Sequence, residues 1–184
     1  MSLIITIVIA LGLDYWLGEP KRLHPLVGFG GLVDGLEKWF NSAEGVQVNQ
    51  RDTLLKCKGT LALLLAIGPL SFAAYSLEQT LATYEAFSTL FGAVVLYLAI
   101  GWRSLIQHAK AISAPLYDGD LITARVAVSH IVSRDTEDLN EQEIAKAATE
   151  SVLENGADAL FAALFWFIVA GIPGVVIYRL SNTL

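Results

Sequence analysis

The sequence predicts an all-α, polytopic integral membrane protein with about four transmembrane helices and additional cytoplasmic amphipathic helices. Of its 184 residues, 54% are hydrophobic and 16% are charged, and the mean hydropathy is +0.55. A soluble domain usually carries about a quarter of its residues as charges. Three windows of 17 to 20 residues contain no charge at all, and a membrane-crossing helix needs roughly 20 apolar residues. The composition therefore excludes a disordered chain and favours a single membrane domain over 1–184.

The first predicted span covers residues 2–17 and is interrupted by Asp14. Because it has neither a basic start nor a clear small-residue cleavage site, we expect an uncleaved helix rather than a signal peptide. Asp14 then lies near the end of the span, where water or a polar partner can reach it. An ionisable residue at a membrane boundary is a candidate functional residue.

The other predicted spans are the charge-free windows 59–77, 86–102 and 159–178. Helices buried in a large soluble core are the alternative interpretation. Three such windows in a chain this short would leave too little polar sequence to cover them, so the membrane is favoured.

The basic residues predict the orientation. Eleven of the twelve lysines and arginines lie in the segments 18–58 and 103–158, and Arg179 alone lies beyond the fourth window. The positive-inside rule makes both segments cytoplasmic and places the N-terminus outside, in a cell inner membrane. A net charge of −6 argues against a nucleic-acid partner. The single cysteine, Cys57, excludes an intrachain disulfide framework.

The segment 18–58 contains a cluster of glycines that does not form a nucleotide loop. Gly28 and Gly30 would need a third glycine at position 33 for a dinucleotide fingerprint, and Val33 stands there. We expect these glycines to allow close helix packing. A short amphipathic helix is predicted over 34–40.

The segment 103–158 holds ten of the eighteen acidic residues. Its pattern predicts helices over 104–116 and 121–133, followed by a loop at Arg134-Asp135-Thr136. Asn140 and Glu143 form a capping-box pattern, which predicts a helix that runs to about Asn155 or beyond.

Three carboxylates, Glu150, Glu154 and Asp158, follow one face of that last helix at i, i+4 and i+8. Two interpretations stay open. The face is a solvated acidic surface, or it binds Mg²⁺ or a cationic group that relieves the mutual repulsion. Asn155 lies beside the face and supplies both a donor and acceptors.

The three histidines give no metal or nucleophile signature. His24 reads as a polar turn residue, His108 as a hydrogen-bonded packing residue, and His130 as the weakest candidate. The sequence contains no His-Glu-x-x-His arrangement and no nucleophile elbow.

Together these motifs resemble the integral-membrane cobalamin-biosynthesis family of the CobD/CbiB type, the adenosylcobinamide-phosphate synthases. Small-residue departures occur at Ser133, Ala159 and Ala163. The family continues beyond Leu184, so we expect this chain to correspond to its N-terminal part. The matching blocks are Leu13-Asp14, Leu17-Gly18-Glu19-Pro20, His24-Pro25, Gly28, Ser104-Leu105, His108-Ala109, Arg134-Asp135-Thr136, Glu150-Ser151-Val152, Glu154-Asn155, Asp158, Leu164-Phe165-Trp166, Gly171, Pro173-Gly174, Tyr178 and Asn182-Thr183-Leu184.

The resemblance implies an ATP- and Mg²⁺-dependent ligase with a corrinoid substrate. The free propionate of adenosylcobyric acid would be joined through an amide to (R)-1-amino-2-propanol or its O-phosphate. Because a carboxylate is a poor acyl donor, we hypothesise an acyl phosphate intermediate, which requires a metal, phosphate-binding cations and a base.

The candidate residues match those needs. Glu150, Glu154 and Asp158 are the candidates for Mg²⁺ or the substrate ammonium, and Asp135 would assist them. The remaining candidates are Arg134 and Arg125 for phosphate, His108 or His24 as the base, Asn155 for substrate, and Asp14 and Glu19 to close the site.

Two alternative functions are considered. One is a non-catalytic membrane sensor or scaffold related to the β-lactamase-regulation accessory proteins, which the Arg134-Asp135-Thr136 block and the 150–158 carboxylates disfavour. The other is a transporter, which would predict repeated halves and charges inside the spans. Four spans alone are expected to leave polar faces uncovered at the membrane. We therefore expect either a homo-oligomer or further sequence to cover them.

Overall fold

The computed structural model describes residues 2–20, 25–41 and 51–184. Within these ranges the chain is helical and contains no strand, which confirms the predicted class. A π-helical segment over Ala157–Ala162 separates the last two helices. The helices are α1 (Leu3–Leu17), α2 (Pro25–Asn41), α3 (Arg51–Leu81), α4 (Glu85–Ala99), α5 (Trp102–Tyr117), α6 (Leu121–Ser129), α7 (Glu141–Gly156) and α8 (Ala163–Thr183).

Three stretches of the described chain are long and apolar enough to cross a membrane, and α1 is a shorter apolar helix. The three are Cys57–Leu81, Glu85–Tyr117 and Glu141–Thr183. The second changes direction after α4, where Gly101 donates its N–H to the Ala159 carbonyl oxygen at 3.2 Å. The apolar windows in the sequence therefore correspond to helices of the bundle.

The helices α1, α3, α4 and α8 surround one apolar core. Leu96 of α4 and Phe167, Ile172 and Val175 of α8 are fully buried in it. Between helices surrounded by lipid, such burial stabilises the bundle through close van der Waals packing. Tyr97 donates its hydroxyl to the Gly18 carbonyl oxygen at 2.7 Å, so α1 and α4 finish together. We call this the site end of the bundle, and the opposite end, where α3 turns into α4, the far end.

The helix α8 is a hairpin of two antiparallel arms, 163–170 and 172–183. Gly171 between them has φ 65° and ψ −153°, a conformation that is essentially restricted to glycine. The Tyr178 hydroxyl donates to the Asp158 carbonyl oxygen at 3.0 Å, although twenty residues of continuous helix would separate these groups by about 30 Å. The second arm therefore returns to the site end.

The reversal of α8 at Gly171 corrects the predicted span 159–178. The window is helical and apolar, as expected, but it does not run through the bundle as one continuous helix. Pro173 carries no N–H, and the Glu78 carboxylate of α3 lies beside the turn, where Glu78 Oε1 is 3.2 Å from a Cβ atom built at Gly171. Arg179, expected on the opposite side, lies at the site end.

The helices α5, α6 and α7 form a second, smaller core at the site end. Ile112, Val128 and Ile144 are completely or almost completely buried in it. The predicted capping box is confirmed: Asn140 N–H donates to Glu143 Oε2 at 2.9 Å, and Glu143 N–H donates to Asn140 Oδ1 at 3.1 Å.

The helix predicted over 121–133 is shorter, because α6 ends at Ser129. Asp120 is the N-cap residue of α6. The Thr123 hydroxyl and amide donate to its carboxylate, and these hydrogen bonds hold the pKa of Asp120 below its ordinary value. After Ser129, the Ile131 N–H bonds to the Val128 carbonyl oxygen at 3.0 Å, a tighter turn than α-helix, and the chain leaves the helix.

The helix α2 is longer than the predicted 34–40 and includes the glycine cluster. The prediction that these glycines allow close packing is wrong for the described part of the chain. A Cβ atom built at Gly28, Gly30, Gly31 or Gly35 would meet no atom within 4 Å.

Candidate active site

A polar cavity of about 450 Å³ lies at the site end, where α5, α7, the π segment and the second arm of α8 meet. We call it the histidine cavity, because His108 and His130 both line it. Its acidic lining residues are Glu19 and Asp158. The remaining lining residues are Gly101, Ser104, Leu105, Ile131, Val132, Ser133, Asn155, Ala159, Arg179 and Asn182.

A second polar cavity of about 470 Å³ adjoins it. We call it the glutamate cavity, because Glu150 and Glu154 line it together with Arg134. Four residues line both cavities, so the two form one continuous polar surface. These shared residues are Ile131, Val132, Ser133 and Asn155.

His108 presents one nitrogen to the histidine cavity. Its Nδ1 lies 2.8 Å from the Ser104 carbonyl oxygen. A carbonyl oxygen can only accept, so Nδ1 is the donor in this contact, and Nε2 is the ring nitrogen left to exchange a proton with a ligand. The side chain is exposed rather than packed in the core, which corrects the packing role expected from sequence. Its geometry suits a general base.

Asp158 is held by the π segment and the hairpin. Its carbonyl oxygen accepts the Tyr178 hydroxyl, and the next carbonyl oxygen, of Ala159, accepts the Gly101 N–H. π-Helical turns are rare and frequently occur at functional sites. Here the turn changes the helical phase between Glu154 and Asp158, so these two carboxylates line different cavities.

In the glutamate cavity, Glu150 is already close to two cations. Arg134 Nη2 lies 3.6 Å from Glu150 Oε2, and Lys146 Nζ lies 3.8 Å from Glu150 Oε1. Both partners are more than half exposed, so each pair contributes little to stability. The two cations nevertheless partly neutralise the charge of Glu150. Among the described residues that line this cavity, Glu154 is the carboxylate that forms no ion pair.

Asn155 is oriented by a chain of hydrogen bonds at the boundary of the cavities. Its Nδ2 donates to the Ser151 carbonyl oxygen and to Ser151 Oγ, both at 2.9 Å. Ser151 Oγ donates in turn to the Ile131 carbonyl oxygen at 2.6 Å. The amide oxygen of Asn155 is therefore its remaining group for a ligand.

Among the described residues, no three histidine, cysteine or acidic side chains converge as a metal cluster. The predicted set of Glu150, Glu154 and Asp158 is divided between the two cavities. Mg²⁺ usually keeps several waters and takes one or two carboxylates together with substrate phosphates. These carboxylates therefore fit a metal ion that takes only part of its coordination from the protein. Substrate phosphates and water would supply the remaining ligands.

Two predicted site residues have local structural contacts instead. Arg125 Nε donates to the Leu139 carbonyl oxygen at 2.8 Å, and the Arg125 carbonyl oxygen accepts the Thr136 hydroxyl at 3.2 Å. Asp135 Oδ1 accepts the Glu137 N–H at 3.0 Å. Neither Arg125 nor Asp135 lines the two cavities, and both fix the loop between α6 and α7.

Asp14 joins α1 to α5. It is 2% exposed, and its Oδ2 accepts the Arg103 N–H at 3.0 Å. Arg103 Nη1 donates to the carbonyl oxygens of Tyr15 and Trp16 at 2.7 and 2.6 Å, which satisfies the end of α1. Asp14 thus has the expected polar partner, but it does not line the cavities. Glu19 does, and His24 lies outside the described residues.

The sequence interpretation missed Arg179 and Asn182 and set His130 aside. All three line the histidine cavity. One sequence signal could have found the first two: Gly171 and Pro173 interrupt an apolar run, which marks a possible reversal of the chain.

The fold and the site define a class: a polytopic helical membrane protein with a polar, histidine-containing site at one end of its bundle. A family model described as CobD/Cbib protein matches residues 7–184. The chain belongs to this family.

Individual relatives agree with the family. The chain is 52% identical over 184 residues to "Cobalamin biosynthesis protein CobD" of Stutzerimonas stutzeri, covering 100% of this chain and 57% of that protein. It is 48% identical over 177 residues to the protein of the same name from Chromobacterium violaceum, covering 96% of this chain and 54% of that one. The chain therefore spans a little over half the length of these relatives. No solved structure matches it.

Proposed function

We propose that the chain takes part in cobalamin biosynthesis by forming the amide bond between adenosylcobyric acid and (R)-1-amino-2-propanol or its O-phosphate, driven by ATP. Family membership and the names of the relatives support the pathway. The observation that carries the chemistry is the pair of adjoining cavities. They combine the free ring nitrogen of His108 with the carboxylates of Glu154 and Asp158. The names of the relatives do not favour a sensor or scaffold.

In the proposed reaction, a propionate oxygen of the corrinoid attacks the terminal phosphorus of ATP, and ADP leaves. The amine nitrogen then attacks the acyl carbon, and inorganic phosphate leaves. Glu19 and Asp158 attract the substrate ammonium into the histidine cavity, and His108 Nε2 takes one ammonium proton, which frees the nitrogen lone pair for the attack. The second N–H proton leaves with inorganic phosphate as HPO₄²⁻. Mg²⁺ would neutralise phosphate charge, and Glu154 in the glutamate cavity would be its protein ligand. The membrane holds the site end toward the cytoplasm.

The test uses this chain in lipid nanodiscs and, in parallel, the full-length Stutzerimonas stutzeri relative. Each is supplied with adenosylcobyric acid, ATP, Mg²⁺ and either form of the amine, and mass spectrometry measures cobinamide products. Replacing the residue that corresponds to His108 by glutamine, or Glu154 by glutamine, should reduce the rate by roughly 10²–10⁴-fold, because each removes a reacting or metal-binding group.

Lys110→Gln is the matched control, because Lys110 is exposed outside the two cavities. Asp135→Asn tests a second expectation: it keeps an acceptor oxygen for the loop and removes the charge, so loss of rate would support a catalytic role for Asp135. Full activity of both the His108 and Glu154 variants would refute the assignment of the site.

A further inference from the structure

Arg179 lies where the histidine cavity meets an apolar groove. The groove has a volume of about 430 Å³ and lies between α2, α3, α4 and the second arm of α8. Its described lining is aliphatic and aromatic, with Phe29, Leu70 and Val175 as examples, and Arg179 is its one charged member. Because Arg179 also lines the histidine cavity, the residue borders both a polar and an apolar compartment.

The Arg179 guanidinium is incompletely satisfied by the described residues. Its Nε is buried from solvent and has no hydrogen-bond partner among them. The acidic residues Glu19 and Asp158 line the same cavity, but neither forms an ion pair with Arg179 within 4 Å. A buried N–H without an acceptor is costly, and one on a cation is more so. The position is therefore suited to a ligand that supplies oxygen acceptors.

Donors on neighbouring elements face the same cavity. Asn182 follows Arg179 by three residues, so it lies on the same side of the second arm. His130 at the end of α6 also lines the cavity. A planar guanidinium binds two oxygens of one group through parallel N–H donors, and nearby amide and imidazole N–H groups can bind a third. Three acceptor oxygens on one centre are characteristic of a phosphate group.

We propose that Arg179 is an oxyanion-binding residue that holds a phosphate group, with Asn182 and His130 as additional donors. This inference deepens the proposed function, on which it rests for the identity of the natural ligand. The phosphate belongs either to a soluble molecule that enters the histidine cavity or to a phospholipid headgroup whose chains occupy the groove.

The test observes Arg179 directly in the intact chain. The protein is labelled with ¹⁵N at arginine Nε and placed in micelles of dodecyl maltoside, a detergent without phosphate, and Arg179→Lys assigns its resonance among the six arginines. Inorganic phosphate is expected to shift the Arg179 Nε–H resonance in a saturable manner. Arg103 is the internal control, because its guanidinium already bonds to Tyr15 and Trp16.

A second arm separates the two sources of phosphate. Phosphatidylglycerol is added to the dodecyl maltoside micelles in place of inorganic phosphate. A shift produced by inorganic phosphate alone assigns a soluble ligand, and a shift produced by the lipid alone assigns a headgroup. An Arg179 resonance that moves no more than that of Arg103 under both conditions overturns the proposal.

Variants provide an independent measurement of affinity. Arg179→Gln should weaken phosphate binding by roughly tenfold or more, and Arg179→Lys, which keeps the charge but not the two-pronged donor, should weaken it less. Lys110→Gln should leave binding unchanged, and equal affinities in all four proteins contradict the proposal. Phosphate binding is measured here without turnover, and cobinamide formation is measured separately. If phosphate binds but no cobinamide forms, only the proposed reaction is refuted. Cobinamide formation with an unmoved Arg179 resonance refutes only this inference.

Discussion

At the scale of single residues, the site is positioned by polar side chains whose partners are backbone atoms. Asp14 illustrates this, because its carboxylate accepts the Arg103 amide in the first turn of α5 and the Arg103 guanidinium donates to the end of α1. The two residues are 89 positions apart in sequence. Their contacts fix the direction in which α5 leaves the bundle, and α5 carries His108.

Asp14→Ala is expected to destabilise the protein by about 1–3 kcal/mol, because it leaves the Arg103 N–H buried without an acceptor. Asp14→Asn keeps an acceptor oxygen and should retain most of the stability. Chemical unfolding in detergent, followed by tryptophan fluorescence, measures both. Tyr15→Phe is the control, since Tyr15 is 73% exposed. An Asp14→Ala protein as stable as this control would show that the contact contributes nothing.

Residue roles were harder to predict from the sequence than residue positions. Arg125 and Arg134 look equivalent as cations of the acidic segment, yet Arg125 donates to the Leu139 carbonyl oxygen and Arg134 lies beside Glu150. Which of two arginines faces a cavity depends on how α6 packs against the loop. The sequence does not contain that information locally.

At the scale of elements, the hairpin of α8 brings Arg179 and Asn182 to the site. Its turn requires Gly171 in a conformation with positive φ, and a Cβ there would lie 3.2 Å from Glu78 Oε1. The conformation of this glycine, with the Glu78 carboxylate packed beside it, thus marks where the chain reverses.

Gly171→Ala should cost about 1–3 kcal/mol of stability, because a side chain is strained in this backbone region and meets the Glu78 carboxylate. Gly68→Ala is the matched control. It lies inside α3 with no atom within 4 Å of the added Cβ, so it should be neutral or stabilising by about 0.5–1 kcal/mol. Thermal unfolding of both variants gives the comparison. Equal melting temperatures would indicate that the turn does not need glycine.

Elements with local signals were predictable, and the hairpin was not. The capping box of Asn140 and Glu143 specifies the start of α7 within four residues, and the structure confirms it. The reversal at Gly171 lies beside Glu78, which is 93 positions earlier in the chain. A hydropathy window averages over such a glycine and therefore reports one continuous span.

At the scale of the whole molecule, the described bundle has polar chemistry at one end. The site end gathers the ends of α1 and α4, both ends of the α8 hairpin, and the small core of α5, α6 and α7. We propose that this end faces the cytoplasm, because the basic residues concentrate there.

Cysteine labelling tests this arrangement. In a Cys57→Ser background, Ser181→Cys and Ser133→Cys should react with a membrane-impermeant maleimide from the same side. Tyr84→Cys, at the far end, should react from the other side. Because a continuous fourth span would place position 181 on the side of position 84, co-labelling of those two positions would contradict the hairpin.

The hairpin also affects how the chain can be inserted during synthesis. In the proposed orientation, the apolar arms enter the bilayer from the cytoplasm and return, so neither Asp158 nor Arg179 is ever translocated. An arginine at the centre of a membrane helix costs about 2.5–3.5 kcal/mol on insertion scales. The strongly apolar 163–183 segment can therefore be delivered by the translocon without moving a single charge across the hydrocarbon.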